Sequence, residues 1–257
     1  MKIASWNVNS LKVRLPHLLR WLDESKPDVV ALQETKTEDL YFPVHELLEA
    51  GYCSVYAGQK TYNGVAILAR QRPRDVVTDI PGLDDAARRI LVASVSGLRI
   101  VNLYVVNGKA VGDEKYAYKL EWLARVRDFL AEELKRHPEL VVLGDFNIAP
   151  EDRDVHDPEA WHEKILCSTP EREALAAITR LGLADSHRLF HEDGGQFSWW
   201  DYRQAAFDRN QGLRIDLILI SEVLKKTAKG ASIERDPRTW ERPSDHTPVT
   251  VQIETDR

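Results

Sequence analysis

The segment LVVLGDFNIAP (140–150) ends with two side chains that could do chemistry, Asp145 and Asn147. Its first four residues are apolar, as in a strand buried on both faces, and Gly144 interrupts that run. In an extended chain, residues two positions apart point to the same face, so the carboxylate and the amide would face one way. Asp and Asn also favour turns. A turn and a cation site are therefore the two interpretations of this segment, and other segments must decide between them.

Polar side chains recur where other apolar segments end or begin. The first apolar run leads into Asn7, and the run DVVALQE leads into Glu34. In the opposite order, Asp216 lies near the beginning of LRIDLILIS, and Asp245 and His246 come directly before the last apolar run. If the strands that begin with such residues run antiparallel to those that end with them, all these side chains meet at one sheet edge. We expect five separate segments to build one polar site there.

Asp216 is the residue that is hardest to explain as only a turn residue or a solvent-exposed carboxylate. It follows Ile215 and precedes the apolar run LILI. A carboxylate among apolar neighbours is costly to bury unless it is paired or hydrogen-bonded, and His246 is the obvious partner. Each of the other residues, taken alone, is explained by a turn, a solvated carboxylate or a structural histidine. Together, those explanations require the same coincidence in five segments.

Carboxylate and amide oxygens with almost no thiolate form the ligand set of a hard cation, Mg²⁺ or Mn²⁺. A histidine fixed by a buried carboxylate beside such a metal can activate water, and no Ser or Cys lies in a nucleophile motif here. Either Asp145 or His246 would take the proton of that water, and the sequence does not rank them. Asn147 would orient the nucleophile or contact phosphate, and Tyr104 would hydrogen-bond developing charge. The expected reaction is metal-assisted hydrolysis of a phosphoester.

The elements that must position these residues are short strands and interspersed helices. Runs rich in Val and Ile, bounded by Gly, Asn, Asp or Pro, predict strands at 2–8, 28–34, 53–58, 63–69, 88–95, 98–106, 140–146, 213–221 and 247–253. Ser96-Gly97 predicts a hairpin. Apolar residues at three- and four-residue spacings predict a helix over 113–136, and further helices are expected at 14–24, 43–50 and 170–182. This pattern predicts two sheets packed together with helices outside.

Composition narrows the class of protein. The chain has 257 residues, 43% of them hydrophobic, and no linker or repeat, which predicts one domain over 1–257. No apolar run approaches the ~18 residues of a membrane helix, and the start shows no signal peptide. Cys53 and Cys167 lie far apart, which favours a reducing, cytoplasmic compartment. A net charge of −6 argues only weakly against nucleic acid, because metal-binding acids would lower the sum.

At these residues the chain resembles the exonuclease III family of DNA repair nucleases, within the endonuclease/exonuclease/phosphatase superfamily. The motifs follow in family order: WNVNSL, LQETK, GQKTYNGVAI, NLYVVNG, GDFNIAP, FSWWDYR, GLRIDLIL and RPSDHTP. The resemblance implies an α/β fold, a four-layer α-β-β-α sandwich (DNase I-like) with two mainly antiparallel sheets flanked by helices. It implies a monomeric, Mg²⁺-dependent enzyme that cuts double-stranded DNA at abasic sites, removes 3′ blocking groups including 3′-phosphate, and degrades duplexes 3′→5′.

The resemblance also implies roles for the site residues. Glu34 would be the main metal ligand, helped by Asn7 and Asp245. The residues expected in catalysis are Tyr104, Asp145, Asn147, Asp216 and His246, of which Asp145, Asn147 and His246 would also face the metal. Two departures from the family pattern matter: Val106 replaces a proline, and Leu213 stands where abasic-site specialists related to the animal enzymes have a tryptophan. They leave the balance between abasic endonuclease, exonuclease and 3′-phosphatase activities open.

Two groups of residues are expected to hold DNA. Trp199 or Trp200, with Phe197 and Leu213, would form the apolar wall of a small pocket that selects a base-less sugar or a terminal nucleotide by sterics. The expected phosphate contacts are Lys60, Tyr62, Asn63, Arg88, Arg89, Lys109, Lys115 and Lys119. Most Lys and Arg residues on a surface are simply solvated, so this expectation needs a test. Phosphate contacts predict sequence-independent binding that weakens steeply with salt.

Two other functions compete with this one. A phosphoesterase of the same superfamily with a non-DNA substrate would keep the metal cluster but should lack FSWWDYR and the basic loops, which are present here. A nucleic-acid-binding relative without catalysis would have lost catalytic acids, whereas all the expected ones are in place. The DNA repair nuclease is therefore the preferred hypothesis.

Overall fold

The structure is a computed structural model, which describes residues 1–83 and 86–255. Its strands are β1 (Lys2–Asn7), β2 (Val29–Gln33), β3 (Cys53–Ala57), β4 (Val65–Ala69), β5 (Arg74–Val77), β6 (Ile90–Val95), β7 (Leu98–Tyr104), β8 (Leu140–Asp145), β9 (Leu183–Asp185), β10 (Trp199–Trp200), β11 (Gly212–Leu213), β12 (Asp216–Ser221), β13 (Ala228–Ile233) and β14 (Val249–Ile253). Its α-helices are α1 (Leu11–Ser25), α2 (Val44–Glu49), α3 (Glu114–Arg136), α4 (Pro158–Trp161), α5 (Thr169–Thr179) and α6 (Glu222–Lys225).

Two six-stranded sheets carry the fold. Sheet I has the order β13-β14-β1-β2-β4-β3, and sheet II has the order β5-β6-β7-β8-β12-β9. One pair in each sheet is parallel, β1 with β2 and β7 with β8, and the other pairings are antiparallel. Strands β10 and β11 form a separate two-stranded ribbon. The prediction of two mainly antiparallel sheets is confirmed.

The sheets pack face to face, and helices cover their outer faces. Ile3 and Val29 of sheet I share the central core with Val141 and Ile218 of sheet II. A second core lies between sheet I and α1. A third lies between sheet II and the helices α3 and α5. These three apolar contacts build the expected four layers, because each sheet buries one face against the other sheet and one against helices.

Local signals explain where the main elements begin and turn. Helix α3 begins after Asp113, whose side chain accepts a hydrogen bond from the backbone N–H of Lys115. Strands β6 and β7 pair directly through Ser96 and Gly97, with φ values of 50° and 83°. A two-residue hairpin turn needs this left-handed backbone, which glycine adopts without strain. The predicted hairpin and long helix are both confirmed.

Besides the ribbon strand β10, three strands were missed from sequence, and these three lie at sheet edges. They are β5, β9 and β13. Most residues of β5 are exposed, and β13 has none that is fully buried. Because an edge strand buries little apolar surface, its sequence carries no alternating pattern. Among the described residues, no helix is long and apolar enough to cross a membrane.

Candidate active site

One end of the paired sheets collects the candidate residues. The parallel strands β1 and β2 end beside each other, with Asn7 opposite Gln33. Glu34 is the residue that follows Gln33. In sheet II, β7 and β8 end with Tyr104 opposite Asp145. The antiparallel strand β12 begins at the same edge, with Asp216 opposite Asp145. The strand directions therefore bring the ends of one set and the beginnings of the other to one place, as expected from sequence.

Gly144 permits the close approach of β7 and β8 at this edge. A Cβ atom at residue 144 would lie 1.9 Å from the carbonyl oxygen of Leu103, far inside van der Waals contact. Any other residue would force the two strands apart just before Asp145. The glycine that interrupts the apolar run is therefore a packing requirement of the site.

Glu34, Asp145 and His246 form the centre of the site. One ligand atom from each lies within 4.8 Å of the others. The side-chain amide of Asn7 joins the two acids, because its Nδ2 donates to Glu34 Oε1 at 2.8 Å and to Asp145 Oδ2 at 2.9 Å. Lys36 Nζ lies 2.8 Å from the other oxygen of Glu34. Asn7 thus presents its NH₂ group to the acids, and in this arrangement it bridges them and does not offer its oxygen as a metal ligand.

The carboxyl groups differ in their electrostatic surroundings. Burial raises the pKa of Asp145 to about 7, with His246 acting against the shift and Asp216 adding to it. Burial also raises the pKa of Glu34, but Lys36 and the hydrogen bond from Asn7 outweigh it, so that this pKa is lowered overall. Glu34 therefore keeps its negative charge. The positive charge near the buried Asp145 is too small to offset the cost of burying its carboxylate.

Asp216 and His246 form a buried hydrogen-bonded pair. His246 Nδ1 lies 2.8 Å from Asp216 Oδ2, and Ser198 Oγ donates to the same oxygen at 2.6 Å. His246 Nε2 faces the opposite way and lies 3.7 Å from Asp145 Oδ2. Burial lowers the pKa of His246, but Asp216 and Asp145 outweigh that effect and raise it to about 10. The imidazole therefore stays protonated between two carboxylates, and the partner expected for Asp216 is the one observed.

Asn147 is held against Asp145 by a dense set of hydrogen bonds. Its backbone N–H donates to Asp145 Oδ1 at 2.9 Å, and its Nδ2 donates to Asp145 Oδ2 at 3.2 Å and to the carbonyl of Val105 at 3.0 Å. Asn107 Nδ2 donates to Asn147 Oδ1 at 3.0 Å. Because its oxygen is already engaged, Asn147 orients the carboxylate in this arrangement and is not placed as a metal ligand.

Tyr104 and Asp245 flank the centre. Burial raises the pKa of the Tyr104 phenol well above its usual range, and the charges of Glu34 and Asp145 add to the shift, so the hydroxyl keeps its proton. Asp245 accepts from Asn9 Nδ2 at 2.9 Å and from Trp199 Nε1 at 3.0 Å. It lies outside the compact group of three ligand residues identified among residues 1–83 and 86–255.

Comparison with known proteins agrees with this geometry. A family model described as the endonuclease/exonuclease/phosphatase family matches residues 4–246. The exodeoxyribonuclease III of Haemophilus influenzae is 34% identical, over 98% of this chain and 100% of that protein. This chain belongs to the exonuclease III family.

Two solved structures of relatives are similar to this exonuclease III family member over almost its whole length. The 3′ phosphatase NExo from Neisseria, solved bound to a product DNA hairpin, is 48% identical with a TM-score of 0.98. An AP endonuclease from Archaeoglobus fulgidus is 35% identical with a TM-score of 0.96. Each match covers 99% of this chain and 100% of the other. The four-layer sandwich expected from sequence is thus confirmed.

The residues expected to hold DNA fall into two groups in the structure. Those whose side chains reach the surface are Lys60, Tyr62, Arg88, Lys109 and Lys115, with Asn63, Arg89 and Trp199 half-buried. Gly64 N–H donates to the carbonyl of Arg88, so the loop around Lys60 and the segment before β6 lie together. Phosphate contact by the exposed members stays a prediction.

Four of the residues expected to contact DNA are buried and do not reach the surface. Lys119 is 0% exposed and its ammonium pairs with Glu171, because the amphipathic pattern of α3 places this residue on the buried side. Trp200 and Leu213 are also 0% exposed. They lie on the ribbon β10–β11 and pack into two separate apolar clusters, out of contact with solvent. Phe197, at 3% exposed, is buried in the same way.

Several residues of the site were not singled out from sequence. Ser198 holds Asp216, Asn9 holds Asp245, and Asn107 holds Asn147. Each lies within a motif that the sequence does present, FSWWDYR, WNVNSL and NLYVVNG. Their types carry a weak signal, because Ser and Asn are common in turns. Only the contacts between segments identify them.

Proposed function

We propose that this exonuclease III family member is a metal-dependent DNA repair nuclease that hydrolyses phosphoester bonds of duplex DNA with an activated water. The observation that carries the proposal is the meeting of Glu34, Asp145 and His246 within 4.8 Å, with Asp216 fixed on the far side of the histidine. This arrangement leaves a negatively charged group of oxygen atoms beside a protonated imidazole. Such a group suits a cation and a phosphate together.

The proposed cofactor is Mg²⁺, with Mn²⁺ as a substitute, held by Glu34 and Asp145. Two oxygens on one Mg²⁺ lie at most about 4.2 Å apart, so donor atoms within 4.8 Å of one another fit after small side-chain rotations. The donor chemistry also fits, because carboxylate oxygens suit hard cations. When bound, the cation supplies Lewis-acid stabilisation of charge on the phosphoryl oxygens. Asn7 keeps the two carboxylates together by donating a hydrogen bond to each.

The side chains divide the remaining work between them. Asp216 holds the imidazole of His246 with Nδ1 towards itself, so that the protonated Nε2 points into the site and donates to a phosphoryl oxygen. Asp145, which Asn147 orients with two hydrogen bonds, takes the proton of the attacking water. The Tyr104 hydroxyl keeps its proton and donates to developing negative charge.

The proposed substrates are duplex DNA with a blocked 3′ end, including 3′-phosphate, and duplex DNA with an abasic site. The similarity to a 3′ phosphatase at 48% identity and to an AP endonuclease at 35% identity supports both. We further propose that residues 1–257 act as one domain, as a monomer, in the cytoplasm. The separated cysteines support a reducing compartment.

The test is a side-by-side assay on three duplexes, with a 3′-phosphate, with one abasic site and with an undamaged end. Each is incubated with Mg²⁺ and with EDTA, using wild type and the variant Asp145→Asn. We expect turnover of the damaged duplexes only in Mg²⁺ and only by wild type. The ratio of the three rates then gives the balance of activities.

Three outcomes would contradict the proposal. Binding of duplex DNA without turnover in Mg²⁺ or Mn²⁺ would favour a catalytically inactive nucleic-acid-binding relative. Turnover of small phosphoesters with none of any duplex would favour a superfamily member with a non-DNA substrate. Equal turnover in Mg²⁺ and EDTA would remove the metal from the reaction.

A further inference from the structure

A fully buried ion pair lies directly behind the site and takes no part in the proposed chemistry. Lys119 of α3 and Glu171 of α5 pair with each other, and both side chains are 0% exposed. Taking two charges out of water is costly, and well-packed apolar residues often stabilise a core as well as a buried pair does. The position of this pair is therefore better explained by what its polar atoms hold than by stability alone.

The ammonium of Lys119 touches both asparagines beside Asp145. Its Nζ donates to the backbone carbonyl of Asn147 at 2.7 Å and to that of Asn107 at 3.2 Å, besides its bond to Glu171. The same two asparagines are joined through their side chains, from Asn107 Nδ2 to Asn147 Oδ1 at 3.0 Å. One ammonium thus holds the backbone carbonyls of both asparagines, of which Asn147 contacts Asp145 and Asn107 contacts Asn147.

The backbone conformation of Asn147 is one that this support stabilises. Its φ is 49°, in the left-handed region, where non-glycine residues are uncommon. This backbone turns its N–H towards Asp145 Oδ1 and its carbonyl away from the site, towards Lys119. An unpaired carbonyl in this buried place would cost free energy, so the lysine stabilises the turn that aims the amide at the carboxylate.

Glu171 in turn keeps Lys119 in place. Its Oε1 accepts from Leu166 N–H at 3.1 Å, and its Oε2 accepts from Ser168 N–H at 3.2 Å and from Ser168 Oγ at 2.6 Å. The carboxylate is thus part of the capping box that begins α5. Because the beginning of a helix fixes Glu171, the ammonium has one well-defined position.

We propose that Lys119 is a positioning residue for the nuclease reaction, which clamps the carbonyls of Asn107 and Asn147 and so keeps the Asn147 amide on Asp145. It acts through Asn147 and does not touch substrate. The inference rests on the proposed function, because the orientation of Asp145 matters for the reaction only if this carboxylate takes part in it.

The competing explanation is that the pair only joins α3 to α5. The chain offers a matched control in Arg99 of β7 and Glu133 of α3, a second buried pair with 5% exposure on each side and a distance of 2.6 Å. Arg99 also donates to Ser94 Oγ at 3.1 Å and to the carbonyl of Asp75 at 2.7 Å. It lies at the beginning of β7, whereas the site residue Tyr104 lies at its end.

The first experiment compares Lys119→Met/Glu171→Gln with Arg99→Met/Glu133→Gln. Each double variant removes both charges, so neither leaves a buried charge unpaired. With a 3′-phosphate duplex as substrate, we expect the Lys119 variant to lose about 10- to 100-fold in kcat with KM little changed, the size of effect of a misplaced catalytic group. We expect the Arg99 variant to lose thermal stability to a similar degree and to keep the kcat of wild type.

A double-mutant cycle separates positioning from a general structural role. The Lys119→Met/Glu171→Gln change is introduced into Asn147→Ala, which already lacks the amide. If Lys119 acts mainly through the side-chain amide, kcat shows a much smaller further loss in this background, where only the backbone N–H of residue 147 still reaches Asp145. The same factor of loss in both backgrounds would overturn the proposal. A readout independent of activity is the NMR signal of the Asn147 side-chain amide in the metal-free protein, which should shift in the Lys119 variant and not in the Arg99 variant.

A second variant covers the case in which the first does not fold. Lys119→Arg keeps the charge opposite Glu171, but its planar fork cannot place one ammonium between two carbonyls. We expect it to fold, to lose kcat and to shift the Asn147 amide signal. A folded Lys119→Arg with wild-type kcat and an unchanged signal would overturn the inference and leave the proposed function standing. Full activity of Asn147→Ala would instead contradict the proposed role of Asn147 itself.

Discussion

Two clusters of buried charge lie close together in this protein, and they are built differently. In the arginine cluster, Asp154 and Asp185 face Arg188 and Arg214. In the site cluster, Glu34, Asp145 and Asp216 face His246, with Lys36 on the outer oxygen of Glu34. Arg214 and Asp216 are only two residues apart in the chain, so one segment contributes to both.

The difference between the clusters is the degree of charge compensation. Every carboxylate oxygen of Asp154 and Asp185 accepts a hydrogen bond or an ion pair, from an arginine or a backbone N–H. In the site cluster, three acids share one imidazolium and one lysine, and Asp216 Oδ1 is buried with no hydrogen-bond partner in the described part of the chain. The carboxylates of the arginine cluster are thus neutralised by arginines within the protein, whereas the acids of the site cluster keep a net negative charge that suits a cation.

The largest effect on kcat is expected from the pair of His246 and Asp216, in which the histidine lies between two acids of the site. Changing His246→Ala or Asp216→Asn should lower kcat by about 10²- to 10⁴-fold, the range for a lost proton-transfer or charge-stabilising group. The affinity for duplex DNA should stay comparable, because the other proposed contacts to DNA phosphates come from exposed residues such as Lys60 and Lys115. Single-turnover cleavage and a filter-binding assay measure the two quantities. Near-wild-type turnover in both variants would mean that the pair is structural.

A substitution in the arginine cluster should lower the stability of the protein and affect kcat much less. The change Asp154→Asn removes the carboxylate that faces Arg214 and Arg188 and leaves their buried charge under-compensated. We expect a loss of about 3 kcal/mol in the free energy of unfolding, the usual cost of breaking a buried pair. Urea denaturation measures this loss, and kcat of the folded fraction should fall far less than in His246→Ala. A loss of kcat as large as that of His246→Ala would contradict the distinction between the two clusters.

In the metal-free protein, the free energy of unfolding should depend on pH through the uncompensated acid of the site cluster, Asp145. Asp145 has a pKa of about 7 in the folded chain against an ordinary value of 3.8. A carboxyl whose pKa is raised by folding stabilises the protein below its ordinary pKa, and this contribution is lost as the pH rises through the folded value. In EDTA, the free energy of unfolding of wild type relative to Asp145→Asn should therefore decrease as the pH rises towards 8. A relative stability that increases over this range would contradict the uncompensated charge at Asp145.

The surface lysines should give the smallest effect. Lys60 is exposed in the loop before β4, and its replacement by Ala should weaken DNA binding only a few-fold, with the slope of log affinity against log salt reduced by about 1. Lys135, at the far end of α3, is the control, and its replacement should change neither quantity. Fluorescence anisotropy at several salt concentrations measures both. An unchanged slope in Lys60→Ala would remove this residue from the DNA surface.

The sequence predicted the sheets and the convergence of the site because both follow from periodicity and strand direction. Short apolar runs located the central strands, and polar residues at their ends marked the shared edge. The edge strands β5, β9 and β13 could not be found in this way, since they bury too little to leave a pattern. Strands are thus easiest to predict from sequence where both of their faces are buried.

The partners of each side chain were much less predictable. Lys119 appeared as one more basic residue near a loop, and only the packing of α3 on α5 shows that its ammonium points inwards to Asn147. Asn7 and Asn147 were expected to offer oxygens to a metal, whereas both present NH₂ groups to Asp145. Residue type and position indicate that a polar group belongs to a site. Which atom it presents depends on neighbours that come from distant segments.

Titration of the metal-free protein with Mn²⁺, followed by the electron paramagnetic resonance signal of the free ion, tests most directly whether the uncompensated cluster holds a cation. Wild type and the Asp154→Asn variant of the arginine cluster should both remove Mn²⁺ from solution. Glu34→Gln, which takes one carboxylate from the site, should bind it much more weakly. Equal binding by wild type and Glu34→Gln, or no binding by wild type, would contradict the account.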